Sequence, residues 1–404
     1  MRPSIPSHLS RRGFLKALGV SAGALAGTRL GGGALIGRAL AASPEPTALV
    51  MIWLNGGINA IFTGADAFTN TAFGVTGNNV TALGGGVVVD NSLGNAIPQS
   101  LRTRVASVGI RHGIADHGQA QTRAFVGNGV SGPLALANAI GGTGAIKAAV
   151  AGGNSLPNGV RPTPIGAVSL QGITDMQATI DAVAGAKPSP NTVDRDGARA
   201  GIEVADAMSS GQFSKAPKSL SSIEQGFDAA AATLAKPVQP FNVAEFNTAY
   251  ALQGTGVRSF ASKMAAAELM VRSGTNFVLV EDGGWDTHGD TNGNTVRNQF
   301  TQRISGALRT FLTRAVEGTA SERNVMVALM GDFHRSLPGS DHQANVAALV
   351  IGKRFKNGTT GKTAANVGLA PTTPGIDGFW QLMGAAAKLD TSPFGANPHT
   401  ALLA

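Results

Sequence analysis

The chain has 404 residues, 43% hydrophobic and 14% charged, with no cysteine and a formal net charge of +8. The lack of cysteine excludes disulfides, thiolate metal sites, a thiol nucleophile and an acylated lipoprotein cysteine, so any transition metal must sit on histidine and carboxylate donors. Six of the 32 basic residues and none of the 24 acidic ones lie in residues 1–41, which leaves the remainder at +2 with no basic stripe for nucleic acid.

Residues 1–41 carry the parts of a twin-arginine signal peptide. Ser10-Arg11-Arg12-Gly13-Phe14-Leu15-Lys16 precedes an apolar, glycine- and alanine-rich stretch to about Thr28, and Ala39-Leu40-Ala41 supplies a small-residue cleavage site. A membrane anchor needs about 20 uninterrupted apolar residues, and Arg29 and Arg38 interrupt this run. The expectation is export by the twin-arginine translocase to the periplasm or beyond, no stable membrane anchor, and a single domain over 42–404.

Ala48–Leu54 is a continuous apolar run ending in Asn55-Gly56-Gly57, the pattern of a strand buried on both faces. Residues 64–99 read as a Gly-rich excursion with a short strand-like piece at Val87–Val89, and Arg104–Ile110 as a second core strand. Residues 125–215 carry a strand near Ile165–Leu170 and a helix near Met176–Val183. A helical pattern starts near Ser219 and continues through Asn242–Leu252 and Val257–Arg272. Phe277–Glu281 is a strand. Val296, Phe300, Ile304, Leu308, Phe311 and Ala315 then follow at helical spacing, with Arg297, Arg303, Arg309 and Arg314 on the other side. Strands at Val325–Met330 and Val346–Ile351 complete βα units, so the fold class is α/β: a layered, mostly parallel sheet flanked by helices, with Gly-rich loop excursions.

Five of the six histidines after residue 41 (His112, His117, His288, His334 and His342) lie just after expected strands, where open α/β sheets bind ligands. Residues two apart in an extended chain point the same way, so Asp286 and His288 can face one ion; a turn that merely caps the next helix is the alternative. Asp332 and His334 repeat that spacing, and Asp341-His342 follows. Arg335 suits a bidentate grip on phosphate or sulfate, or else a surface salt bridge with Asp332 or Asp341. Asp116-His117 forms a third cluster with His112. After residue 41 there is no G-x-S-x-G elbow and no P-loop, and no G-x-G-x-x-G follows an expected core strand.

With these motifs the chain resembles the bacterial family of unknown function numbered 1501, which is placed in the alkaline-phosphatase and sulfatase superfamily. The resemblance runs through the leader, Leu54-Asn55-Gly56-Gly57, Arg104–Gly129, Gly283-Gly284-Trp285-Asp286-Thr287-His288, Gly331–Ser336 and Ser340-Asp341-His342. Of these, the G-G-(W/F)-D-T-H string is the most specific. It implies an alkaline-phosphatase-like fold and one or two divalent metals, zinc first with calcium or magnesium as alternatives. On the matched positions the metal ligands are Asp286 and His288, then Asp332, His334, Asp341, His342 and His117. Arg335 would hold the anionic group. Asp116 stands beside His117, where a hydroxyl nucleophile is expected, and joins Arg335 as a catalytic candidate. Two departures stand out: Asn59 replaces a first-strand acid, and Asp332-Phe333-His334-Arg335 replaces E-F-G-R. The implied function is an exported metal-dependent hydrolase of small phosphate or sulfate esters. The alternative is a non-catalytic exported binding or scaffold protein that retains the fold.

Overall fold

Strand β1 (Thr47–Leu54) is buried along its whole length because its alternate residues enter two separate cores. Ala48, Val50, Ile52 and Leu54 pack into one, and Leu49, Met51 and Trp53 into the other. A computed structural model describes this fold over residues 47–63, 78–142, 144–183, 241–290, 292–318, 323–336, 340–361 and 374–404, together with 200, 201 and 204. The leader and the helical pattern expected from Ser219 to residue 240 lie outside the described residues.

The main sheet has eight strands: β1, β2 (Val105–Arg111), β3 (Ala148–Ala151), β4 (Leu170–Ile173), β5 (Phe277–Asp282), β6 (Asn324–Gly331), β7 (Asn345–Ile351) and β8 (Gly358–Thr359). Their order is β8-β2-β7-β6-β1-β5-β3-β4. β6, β1, β5, β3 and β4 pair in parallel, whereas β7 is antiparallel to both its neighbours, β6 and β2. The α/β, mostly parallel architecture expected from the sequence is therefore present, with β7 as an antiparallel insert. Its direction follows from its connection. A parallel crossover is usually carried by a helix, and the described part of 332–344 forms a small ribbon instead. The strand expected near Ile165–Leu170 instead occupies Leu170–Ile173, preceded by a single bridge between Ile165 and Val168.

Helices cover both faces. α1 (His117–Ala124), α2 (Gly132–Ile140), α3 (Met176–Val183), α4 (Val243–Tyr250), α5 (Phe260–Arg272), a long helix α6 over 294–317 and α7 (Ile376–Ala386) follow the chain. α3 to α6 contribute to the first core, α2 and α7 to the second. In α6 the apolar residues step by four from Val296 to Leu308. At 3.6 residues per turn each such step overshoots by about 40°. A π-helical turn at Phe300–Ile304 unwinds the helix and keeps that row in the first core, and a second follows at Leu312–Glu317.

Candidate metal centre

Three strands of the parallel group end level with one another: Leu54 of β1 pairs with Asp282 of β5 and with Gly331 of β6. The loops after these strands therefore leave the sheet together. β2 ends at the same edge, since Arg111 pairs with Asn345 at the start of β7. The carboxyl edge of the sheet thus gathers four segments, three of which hold the histidines.

The glycine pair after β1 lets these loops meet. Gly56 has φ +125°, and a Cβ there would lie 2.2 Å from the Asp286 nitrogen. At Gly57 a Cβ would lie 2.8 Å from the Phe333 carbonyl oxygen. Only glycine permits so close an approach. Trp285 anchors the second loop from inside. It is fully buried, its indole N–H donates to Asp282 Oδ2 at 2.9 Å, and its ring packs edge-on against Phe300.

On this frame His117, Asp286, His288 and His342 converge, with one donor atom from each lying within 4.8 Å of all the others. His288 Nε2 is 3.1 Å from Asp286 Oδ1, His117 Nε2 is 3.6 Å from the same oxygen, and His342 Nε2 is 3.1 Å from His288 Nε2. The opposite sides of two rings are held by acceptors. His117 Nδ1–H donates to Asp332 Oδ2 at 2.6 Å, and His342 Nδ1–H donates to the Ala115 carbonyl at 2.7 Å. Those bonds leave the Nε2 lone pairs of both rings aimed inward. Among the described residues, His117 Nε2 is buried without a hydrogen-bond partner. Phe333, fully buried, wedges both rings, at 4.7 Å from His117 and 4.2 Å from His342 between centroids. The group could bind a metal ion.

Burial, with the neighbouring Arg335 charge, holds His342 below the ordinary histidine pKa, although its bond to Ala115 opposes them. The neutral, metal-ligating form is thereby favoured. Burial raises the Asp332 pKa against hydrogen bonds from His117 and Gln121. On the solvent side Asp286 and His288 are about half exposed, with side-chain accessibilities of 53% and 57%, so small molecules can reach the centre.

The other expected site residues lie elsewhere. Asp332 stands behind His117, buried, as its hydrogen-bond acceptor. His334 turns into the ribbon formed by Ile58–Asn59, His334–Arg335 and His342–Gln343, where its Nε2 accepts from the Ala347 N–H at 2.8 Å. The D-x-H alternation fails there because the chain bends at Asp332-Phe333. Asp341 is exposed and outside the converging group. Arg335 is fully buried: it donates to the Gly56 carbonyl at 2.8 and 2.6 Å, to the Ser340 carbonyl at 2.8 Å, and to Asp286 Oδ1. It braces Asp286 rather than facing an open cleft. Asp116 caps α1 by accepting the Gln119 N–H at 2.9 Å. Asn59 is buried and donates to the Arg335 carbonyl at 3.1 Å, so it serves the ribbon. Sequence reasoning passed over Phe333, Gln121 and Asn55; only their positions next to a strand end or a histidine hinted at a role.

Residues 148–374, more than half of the chain, match the model of a family described as a protein of unknown function (DUF1501). The match includes Asp286, His288 and His342 but ends short of His117 and the glycine pair. No curated protein matches the chain.

Proposed function

The chain belongs to this DUF1501 family, and we propose that it is a metal-dependent hydrolase whose centre is the group His117, Asp286, His288 and His342. One observation carries the reading: three imidazole Nε2 atoms gather about one carboxylate oxygen, two of them pre-oriented by acceptors on Nδ1. Zinc suits it best. In a tetrahedral site with bonds of about 2.0–2.2 Å, neighbouring donor atoms lie roughly 3.3–3.6 Å apart, close to the observed 3.1, 3.1 and 3.6 Å. A nitrogen-rich donor set disfavours calcium and magnesium, which take oxygen ligands.

A divalent ion held there supplies a lowered pKa for a bound water and polarises an ester oxygen. The chain's own residues do the rest. Asp332 fixes the ring of His117 and its tautomer. Arg335 holds Asp286 in place through Oδ1 while gripping the Gly56 carbonyl. Asp286 and His288 form the solvent-facing side by which a substrate enters. Water is the nucleophile in this reading, because the residue beside His117 is a helix cap and not a hydroxyl. The substrate class, a small phosphate or sulfate ester, comes from the resemblance to the alkaline-phosphatase and sulfatase superfamily, as does the alkaline-phosphatase-like reading of the fold. Export by the twin-arginine route rests on residues 1–41, and no described helix is long and apolar enough to cross a membrane.

A non-catalytic exported binding or scaffold protein is the second reading. The placement of Arg335 and Asp116 favours it, since neither is presented to the open side of the centre. Hydrolysis of aryl phosphates and aryl sulfates separates the two. The hydrolase reading expects turnover that disappears with a chelator, returns with zinc and is absent from His288→Ala. Metal-bound protein with no turnover on either panel points to the scaffold.

A further inference from the structure

Behind the centre runs a line of side chains from four separate elements. Glu281 lies on β5, Asn55 follows β1, Gln121 is on α1 and Asp332 follows β6. Asn55 Nδ2 donates to Glu281 Oε1 at 2.8 Å, Gln121 Nε2 donates to Asn55 Oδ1 at 2.6 Å, and Gln121 Nε2 also donates to Asp332 Oδ2 at 2.9 Å. The same Oδ2 accepts the His117 Nδ1–H at 2.6 Å. We infer that Gln121 is a positioning residue for the metal centre, the middle of a directional amide chain that begins at Glu281, holds the Asp332 carboxylate and through it sets the aim of His117.

The direction follows from hydrogen-bond chemistry. A carboxylate only accepts, so Asn55 must turn its NH2 to Glu281 and its carbonyl to Gln121. That carbonyl requires an N–H from Gln121, and the second N–H of the same amide then reaches Asp332. A flipped Gln121 would set its oxygen against two other oxygens. Gln121 is buried at 7% exposure, where such an unmet pairing has no water to relieve it. The Asp332 carboxylate, which only accepts, keeps the His117 proton on Nδ1 and its lone pair on Nε2, facing Asp286, and the Gln121 N–H fixes where that carboxylate sits. Nothing in the local sequence around Gln121 signals this role, because each partner comes from a distant segment.

The inference rests on the proposed metal centre for its purpose but not for its test, which has two readouts. The first is the imidazole ¹⁵N spectrum of the purified protein, with His117 assigned by comparison with His117→Ala. The second is zinc affinity by competition with a chelating dye. The wild type is expected to show the Nδ1–H tautomer at His117. Gln121→Met removes both donors and Gln121→Glu sets a carboxylate against two acceptors. Both should keep the Nδ1–H tautomer, shift the His117 ¹⁵N signals as Asp332 loses its positioning donor, and weaken zinc binding by about 10–100-fold, the usual loss for an outer-shell partner. In a His117→Ala background neither should weaken it further. Glu281→Gln, a partly exposed change that spares the buried amides, should shift the signals in the same direction because Asn55 is then free to turn. An unchanged His117 spectrum in all three variants overturns the inference, as does an equal loss of affinity with and without His117. A wild type that binds no zinc, yet shifts its His117 signals in Gln121→Glu, overturns the metal reading and leaves the amide chain standing.

Discussion

Replacing Gly56 by alanine tests whether close backbone approach builds the centre. The new Cβ would meet the Asp286 nitrogen at 2.2 Å and the Trp285 carbonyl carbon at 2.5 Å, where ordinary contact begins at 3.4 Å. The two loops must therefore separate by about 1 Å, beyond the ~0.5 Å within which a working constellation has to be held. The residue would also keep φ +125°, a conformation that costs a non-glycine residue about 1–3 kcal/mol. Overpacking against backbone adds about 1–3 kcal/mol. Gly113 is the control: its φ is +76° and a Cβ there has nothing within 4 Å, so Gly113→Ala carries the backbone cost alone. Urea unfolding should show Gly56→Ala less stable than Gly113→Ala by about 1–3 kcal/mol, and zinc titration should show affinity lost only in the former. Equal stability and equal zinc affinity in the two variants would refute the reasoning.

Asp332→Asn should weaken zinc binding by about 10–100-fold in calorimetric titration; undiminished affinity would remove Asp332 from its role behind His117. Arg335→Met leaves Asp286 and the Gly56 and Ser340 carbonyls without their donor. Because Asp286 is half exposed, the cost comes from the stranded carbonyls: about 1–3 kcal/mol in urea unfolding, as for buried acceptors left unsatisfied, and no measurable loss would contradict the brace. His399 is buried, and burial lowers its pKa from 6.5 to about 4. Between those values the unfolded chain binds the proton and the folded one does not, so stability falls as pH drops from 6.5 through 4, by up to about 3 kcal/mol. His112 adds a loss of the same sign. His399→Gln should flatten the dependence measured by unfolding at pH 7 and pH 4, and an unaltered slope would show that His399 is not its source.

Much of the sheet was legible because its strands are buried on both faces. Ala48–Leu54 and Val325–Met330 read as continuous apolar runs since each alternate residue enters a different core. Periodicity carries no direction, so it could not reveal that β7 runs against its neighbours. Of the expected ligands, Asp286, His288, His117 and His342 are brought together. Asp286 and His288 share a side as extended-chain alternation suggested. The same alternation misplaced His334, because the chain turns between Asp332 and His334 and the ring is claimed by the Ala347 N–H. Arg335 reads as an exposed anion grip from its charge, yet three carbonyl bonds and Asp286 absorb it in the interior. Gln121 carries no motif, and Asn55 and Phe333 sit in motifs that assign them no role; their roles exist only once segments up to 226 residues apart are folded together.

X-ray absorption at the zinc edge, on protein loaded with one equivalent, bears most directly on the claim that these four side chains grip a single ion. The account predicts a shell of nitrogen and oxygen at about 2.0–2.2 Å with outer scattering from three imidazoles, one of which disappears in His342→Ala. Protein that takes up no zinc, or a spectrum that does not change in His117→Ala, His288→Ala and His342→Ala, would contradict it.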